Sequence, residues 1–114
     1  LGSFRQSGAQ IAYLRDTPAA DFDIPECVAD SLTNWSRCAF PAPTVTEPII
    51  TGIASGRIKD VKVLDLNGYL CDGKTCPAVR NGTLLYRDNA HLTNTAVRLL
   101  VPAMEHSLGL VGLL

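Results

Sequence analysis

Asp88 and His91 are separated by two residues and lie in the segment Tyr86-Arg87-Asp88-Asn89-Ala90-His91-Leu92-Thr93. In a turn that leads into a helix, this spacing lets the Asp88 carboxylate fold back on the Nδ1–H of His91. Such a hydrogen bond fixes the imidazole tautomer and supports the imidazolium formed during proton transfer. The pair therefore predicts a general base, with Nε2 of His91 directed at a hydroxyl nucleophile. The structural alternatives are a surface or helix-capping histidine and a turn or N-cap carboxylate.

Other polar and aromatic residues are expected to have mainly structural roles. His106 is predicted near the C-terminal end of a helix, where a cation is favourable. Asp16 and Asp65 are expected to hydrogen-bond local backbone, although Asp16 could also approach the site. Arg87 is either solvated or contacts an acyl donor or glycan. The aromatic residues Trp35 and Tyr69 could stack on sugar, but a local core role is favoured for the tryptophan.

Two short apolar runs, at residues 8–15 and 61–66, predict buried strands. Residues before Gly8 are expected to be the tail of a helix. Between the strands, residues 46–58 predict a helix capped by Thr46, with Pro48 in its first turn. A strand, a helix and a second strand in this order predict parallel pairing.

The second half of the chain contains a predicted hairpin and a predicted terminal helix. Residues 76–79 and 83–86 are expected to pair around Arg80-Asn81-Gly82, because Asn-Gly supplies the positive φ angles of a tight turn. A helix is expected from Thr93 or Asn94 to about Ser107, with Pro102 distorting it and the apolar tail from Gly109 onward either frayed or docked on a missing partner. Its predicted buried stripe comprises Ala96, Leu99, Leu100, Ala103 and Met104.

The four cysteines form two local pairs, Cys27 with Cys38 and Cys71 with Cys76. Each pair brackets a polar, turn-rich loop that gains from a covalent link, so two short-range disulfides are expected. A short helix is also predicted around residues 27–34. The spacing does not match the Cys-x-x-Cys or Cys/His clusters of zinc sites, and no metal is expected. Free buried thiols are the alternative, and disulfides would indicate a location outside the cytosol.

The composition argues against several classes of function. The chain has 114 residues, a net charge of −1, 46% hydrophobic and 18% charged residues, which is typical of one globular domain. Its lysines and arginines are scattered, so no basic patch for nucleic acid is expected. No apolar stretch approaches the length that spans a bilayer, and the first residues show no signal-peptide pattern.

Three segments together resemble conserved blocks of one family. The most specific is the segment from Tyr86 to Thr93 followed by Ala96-Val97-Arg98-Leu99-Leu100-Val101-Pro102. The others are Leu70-Cys71-Asp72-Gly73-Lys74-Thr75-Cys76-Pro77 and Leu14-Arg15-Asp16-Thr17-Pro18. The chain resembles the SGNH (GDSL-type) hydrolases over residues 8–107. Within them, it is most similar to the domain fused to the membrane-embedded acyltransferase-3 domain of bacterial envelope acyltransferases.

This resemblance implies an α/β fold: a partial flavodoxin-like three-layer sandwich with a parallel sheet and a C-terminal helix. Residues 1–114 are then the C-terminal portion of an SGNH hydrolase-like domain. Asp88 is implied to be the orienting acid and His91 the general base. The family's Gly-Asp-Ser block does not occur in this sequence, so the serine and the oxyanion groups are expected upstream, and residues 1–114 alone are expected to be inactive.

The implied activity is that of an O-acyltransferase or esterase acting on a hydroxyl of a bacterial envelope glycan or glycolipid, without a cofactor. The implied partners are an acyl donor, that acceptor, the upstream half of the domain and the membrane-embedded domain. The implied location is the extracytoplasmic face of the cell membrane. A half-domain exposes an apolar edge and face, so association with the missing half or another copy is expected.

Two other functions remain open at this point. One is a non-catalytic extracytoplasmic binding or accessory module that keeps the SGNH-like fold. The other is a small disulfide-linked secreted interaction protein.

Overall fold

Strands β1 (Ile11–Leu14) and β3 (Val61–Leu64) lie side by side in parallel, in register from Ile11 opposite Val61 to Leu14 opposite Leu64. The computed structural model describes residues 10–110 and Gly112, so the predicted helix tail before Gly8 lies outside the described residues. Helix α2 (Pro48–Ala54) precedes β3. The predicted strand–helix–strand order and its parallel pairing are confirmed.

The described structure combines short helices with three two-stranded sheets. The second sheet pairs β2 (Phe40–Pro41) with β4 (Thr75–Cys76), and the third pairs β5 (Val79–Arg80) with β6 (Thr83–Leu84), both antiparallel. The remaining elements, in chain order, are α1 (Ile24–Ala29), a 3₁₀ helix (Trp35–Cys38), α3 (Asn67–Leu70) and α4 (Asn94–Leu110).

Helix α2 begins later and ends earlier than the sequence predicted. Its N-cap is Glu47 rather than Thr46, and the Glu47 side chain makes no capping bond. Instead, its carboxylate accepts a 2.6 Å hydrogen bond from the Tyr13 hydroxyl of β1. This bond raises the pKa of Tyr13 to about 12 and lowers that of Glu47. A tertiary partner therefore took the place of local capping and ties α2 to the neighbouring strand.

Helix α1 lies earlier than the predicted residues 27–34. Asp23 caps it by accepting a 3.0 Å bond from the Glu26 backbone N–H, and Pro25 occupies the first turn. Both features suit a helix start, because the first turn has unpaired N–H groups and proline has none. The helix ends at Ala29, and the 3₁₀ helix follows after a turn.

Strand β3 ends at Leu64, two residues before the predicted end. The Asp65 side chain accepts a 2.9 Å bond from the Asn67 backbone N–H, which turns the chain into α3. The predicted local role of Asp65 is confirmed. The same carboxylate also contacts Arg15 Nη1 at 2.9 Å, so it links the residues that follow both parallel strands.

The hairpin at residues 79–84 is confirmed around Asn81 and Gly82, whose φ angles are 52° and 77°. Left-handed angles cost little for asparagine and glycine, which explains the choice of residues. The first strand of the hairpin was predicted at residues 76–79, but in the structure it begins only at Val79. The reason is that Cys76 pairs with Phe40 of β2 rather than within the hairpin.

Both predicted disulfides are present, Cys27–Cys38 and Cys71–Cys76. Three of the four cysteines are buried in the main apolar cluster, and Cys27 packs against it. The cluster also contains Phe40, Leu70 and the fully buried Tyr86. The Phe40 ring lies edge-to-face against Tyr86 at 5.4 Å and against Phe22 at 6.4 Å. The disulfides thus belong to the core that supports the residues before Asp88.

Helix α4 begins after Thr93, whose hydroxyl accepts a 3.1 Å bond from the Ala96 backbone N–H. It continues through Pro102 to Leu110, so Gly109 and Leu110 are helical, whereas residues 111, 113 and 114 of the predicted tail lie outside the described residues. Ala96 is its buried residue, whereas Leu99, predicted to be buried, is 61% exposed. Among the described residues, no helix is long and apolar enough to cross a bilayer.

Candidate active site

Residues 86–93, here called the acid–base loop, form a closed turn between the hairpin and α4. Tyr86 and Leu92 form an antiparallel bridge at its base, and the Arg87 N–H donates to the His91 carbonyl at 2.8 Å. Tyr86 is completely buried, which anchors one end of the loop in the core. The turn therefore holds Asp88 and His91 at a fixed separation.

Asp88 uses both carboxylate oxygens within this turn. Its Oδ1 accepts backbone bonds from Ala90 at 2.8 Å and from His91 at 2.6 Å. Its Oδ2 lies 2.8 Å from Nδ1 of the His91 ring. One oxygen therefore shapes the backbone, and the other orients the imidazole.

The Asp88 carboxylate is strongly biased toward its ionised form. The two backbone N–H donors, and then the His91 ring, lower the pKa of Asp88 to about 2, against the opposing effect of burial. An ionised carboxylate is an acceptor only, so Nδ1 of His91 carries the proton in this contact. The Nε2 atom is then the ring nitrogen free to take a proton from a hydroxyl.

The His91 side chain is 67% exposed, so a reacting group can reach the ring from solvent. The Asp88 side chain is 42% exposed. This exposure is greater than expected of a finished active site, where water is excluded around the reacting atoms. The Asp88–His91 pair is therefore open to solvent among the described residues.

A second segment, residues 17–20, clamps the acid–base loop from outside. The Thr17 hydroxyl donates to the Ala90 carbonyl at 2.7 Å. Ala20 N–H donates to the Asn89 carbonyl at 2.8 Å, and the Asn89 amide donates back to the Ala20 carbonyl at 3.1 Å. The clamp joins the segment after β1 to the loop. Sequence reasoning missed it, although Thr17 and Asn89 both lie within the motifs singled out.

Thr93 fixes the other end of the loop. Its N–H donates to the Leu85 carbonyl at 2.9 Å, and its hydroxyl donates to the Leu84 carbonyl at 2.8 Å. The same hydroxyl accepts from Ala96 and caps α4. One side chain therefore joins the hairpin, the loop and the helix.

A family model described as "SGNH domain (fused to AT3 domains)" matches residues 1–106. The chain belongs to this SGNH-domain family. No curated protein and no solved structure matches the chain significantly. The resemblance read from the sequence is thus confirmed for nearly the whole chain.

Asp16, Arg87 and His106 are the other polar candidates of this SGNH domain. Asp16 N–H donates to Glu47 Oε1 at 3.2 Å, and the Asp16 carbonyl accepts from the Asn67 amide at 3.2 Å, so its backbone is part of the β1–α3 junction. Arg87 is exposed beside Asp88, and His106 is exposed on α4.

The two aromatic candidates are both surface residues. Trp35 is 42% exposed and Tyr69 is 44% exposed. The predicted core role of Trp35 was therefore wrong. The physical reason is that Cys38, through its disulfide, occupies the interior position of the 3₁₀ helix and leaves the indole outside.

An apolar groove of about 230 Å³ lies next to the acid–base loop. Leu92 connects the groove to the loop, and Val97 and Val101 of α4 form part of its wall. These two valines are 49% and 46% exposed. The groove shows that α4 has an apolar face beside the site.

Proposed function

We propose that this chain supplies the Asp–His part of a Ser–His–Asp triad in an O-acyltransferase or esterase. Its substrate is a hydroxyl of a bacterial envelope glycan or glycolipid, and its serine lies upstream of this chain. The observation that carries the proposal is the 2.8 Å contact between Asp88 Oδ2 and His91 Nδ1 in a clamped loop. Membership of the SGNH family fused to acyltransferase-3 domains supports acyl transfer as the reaction.

In the first half-reaction, the serine hydroxyl attacks the carbonyl carbon of the acyl donor while Nε2 of His91 removes its proton. The leaving group departs with that proton, and the acyl group stays on the serine as an ester. The Asp88 carboxylate stabilises the imidazolium that forms between these steps.

In the second half-reaction, Nε2 removes the proton of an acceptor hydroxyl, and the acceptor oxygen attacks the serine ester. The new ester bond forms on the acceptor, and His91 returns the proton to the serine oxygen. With water in place of the acceptor, the same steps hydrolyse the ester. The donors that stabilise the oxyanion come, like the serine, from the upstream part of the domain.

The upstream half also completes the fold in this proposal. Strand β1 pairs with β3 on one side, and its other edge is where further strands of a flavodoxin-like three-layer sandwich would add. The exposed apolar face of α4 would pack against the upstream half. This arrangement brings the serine to the open side of His91.

We place the domain on the extracytoplasmic face of the bacterial membrane. Two disulfides support an oxidising compartment, and the family's fusion to acyltransferase-3 domains supports attachment to a membrane-embedded partner. Acyl donor and glycan or glycolipid acceptor would meet there.

Labelling by a serine-directed fluorophosphonate tests the proposal in the complete domain, which contains the upstream half. The wild-type domain is expected to be labelled on its serine, and His91→Ala is expected to lose labelling because the nucleophile is no longer activated. The chain has two histidines, so His106→Ala is the matched control and should label like wild type. Labelling of His91→Ala equal to that of His106→Ala would show that His91 does not activate the serine, and no labelling of the wild type would favour a non-catalytic binding module.

A further inference from the structure

Trp35 forms one wall of a surface groove of about 240 Å³, here called the Trp35 groove. Ser36 lies next to it, and the opposite wall contains Pro77 and Val79. Asp72 and Thr75 supply polar side chains. None of the residues that line the groove belongs to the acid–base loop.

Both walls of the Trp35 groove are held by covalent and backbone bonds. The 3₁₀ helix that carries Trp35 ends at Cys38, which is linked to Cys27. The second wall follows β4, whose Cys76 is linked to Cys71. The two walls are joined because Phe40 pairs with Cys76 and Pro41 with Thr75. An exposed indole on a rigid support loses little conformational entropy when it binds a ligand.

The polar groups of the groove suit hydroxyl ligands. The Asp72 side chain is oriented by Arg80, whose Nη2 lies 3.1 Å from Oδ1. A carboxylate has about four acceptor positions, so it can bind sugar hydroxyls while this ion pair persists. The Thr75 hydroxyl can donate and accept, and the Ser36 hydroxyl, which donates to Asn34 Oδ1, can still accept. An apolar platform with a few convergent polar groups is the usual composition of a small-molecule site.

We propose that the Trp35 groove binds a neutral sugar unit of a glycan, with the indole against the apolar face of the ring and Asp72 accepting from ring hydroxyls. A proline-rich peptide is the main alternative ligand. Such peptides dock in grooves lined by several aromatic residues. Trp35 is the sole aromatic residue among the described residues that line this groove, and its neighbours are hydroxyl and carboxylate groups.

This inference deepens the proposed function, since the glycan would be the acceptor held near the domain during acyl transfer. It can nevertheless be tested without catalysis. Sugar binding and proton transfer use different residues, so the two proposals can fail separately.

The experiment uses the oxidised 114-residue chain, labelled with ¹⁵N and titrated with cellotetraose, chitotetraose or a decaproline peptide. The chain contains one tryptophan, so the indole N–H signal of Trp35 reports the groove alone. We expect a saturable shift of this signal with at least one of the two tetrasaccharides in the millimolar range. No shift with either sugar, or a shift with decaproline only, would overturn the proposal.

Variants test which side chains hold the sugar, with affinity measured from saturation-transfer signals of the ligand. Trp35→Ala and Asp72→Asn should each weaken binding by about tenfold, because truncating a central anchor commonly has this effect. Tyr69→Ala, which removes an equally exposed aromatic ring from elsewhere, should bind as wild type. Mass spectrometry of the two disulfides verifies folding. Unchanged affinity in folded Trp35→Ala would contradict the assignment.

His91→Ala separates the two proposals. It should keep sugar affinity in the chain and lose serine labelling in the complete domain. Binding without any labelling of the wild type would leave the groove assignment intact and refute the catalytic proposal.

Discussion

Asp88 combines two functions at the scale of one residue, since Oδ1 shapes the backbone turn and Oδ2 orients His91. Asparagine can replace the first function, because its carbonyl oxygen still accepts from the two backbone N–H groups. It cannot replace the second, because its amide N–H₂ favours the wrong imidazole tautomer. The two functions can therefore be separated by substitution.

Asp88→Asn in the complete domain should keep the fold and lower the turnover of an acetyl ester by about 10²–10⁴-fold, as for orienting aspartates of triads. Asp88→Ala should lower turnover as much and also loosen the loop. Ester hydrolysis measures the first effect, and amide exchange at Ala90 and His91 measures the second. Wild-type turnover in Asp88→Asn would show that this carboxylate does not orient His91.

The low pKa of Asp88 also predicts how stability depends on pH. Its pKa falls from 3.8 to about 2 on folding, so ionised Asp88 stabilises the folded state above about pH 4. This contribution disappears as the pH falls from about 4 to about 2. The difference in Tm between wild type and Asp88→Asn should therefore shrink over that window. A Tm difference between wild type and Asp88→Asn that stays constant down to about pH 2 would contradict the assigned pKa of Asp88.

Thr93 links three elements through one hydroxyl, which caps α4 and bonds to the carbonyl before the acid–base loop. Thr93→Ala should lower the free energy of unfolding by about 1–2 kcal/mol, the usual cost of losing a helix N-cap. Thr93→Ser retains the hydroxyl and should lose far less. Urea unfolding of both variants measures these free energies of unfolding. Equal decreases for Thr93→Ala and Thr93→Ser would show that the methyl group contributes more to stability than the hydroxyl.

The two disulfides close loops of different length, with sequence separations of 11 and 5. By chain entropy, removing Cys27–Cys38 should cost about 3 kcal/mol and removing Cys71–Cys76 about 2 kcal/mol. Urea unfolding of two variants, each with both cysteines of one pair replaced by serine, measures which disulfide contributes more to the free energy of unfolding. A larger cost for the shorter loop would show that packing in the core outweighs loop entropy.

Local patterns predicted elements well where the determining contacts are also local. The hairpin follows from Asn81-Gly82, and the Asp88–His91 contact follows from spacing within one turn. The start of α2 could not be predicted, because Glu47 bonds to Tyr13 on another element. The clamp between Thr17 and Ala90 likewise joins segments that are distant in sequence.

At the scale of the whole molecule, helix α4 presents apolar side chains on the surface. Val97 and Val101, one turn apart on α4, are both about half exposed and border the groove beside the loop. We expect the 114-residue chain to self-associate through this face in sedimentation velocity, and the upstream half to suppress that association. Contiguous exposed apolar patches commonly mark such interfaces.

A double variant, Val97→Glu with Val101→Glu, should shift the chain toward monomer by placing charges on the face. Leu32→Glu, which replaces a residue 71% exposed outside α4, is the matched control and should leave association unchanged. A wild-type chain that remains a monomer at high concentration would remove the evidence for this interface.

Turnover of an acetyl ester by the complete domain, compared between His91→Ala and His106→Ala, tests the central claim most directly. Because Nε2 of His91 would carry the proton in both half-reactions, His91→Ala should reduce turnover by about 10²–10⁴-fold while His106→Ala turns over like wild type. Turnover by His91→Ala equal to that of His106→Ala, in folded protein, would contradict the assignment of His91 as the general base.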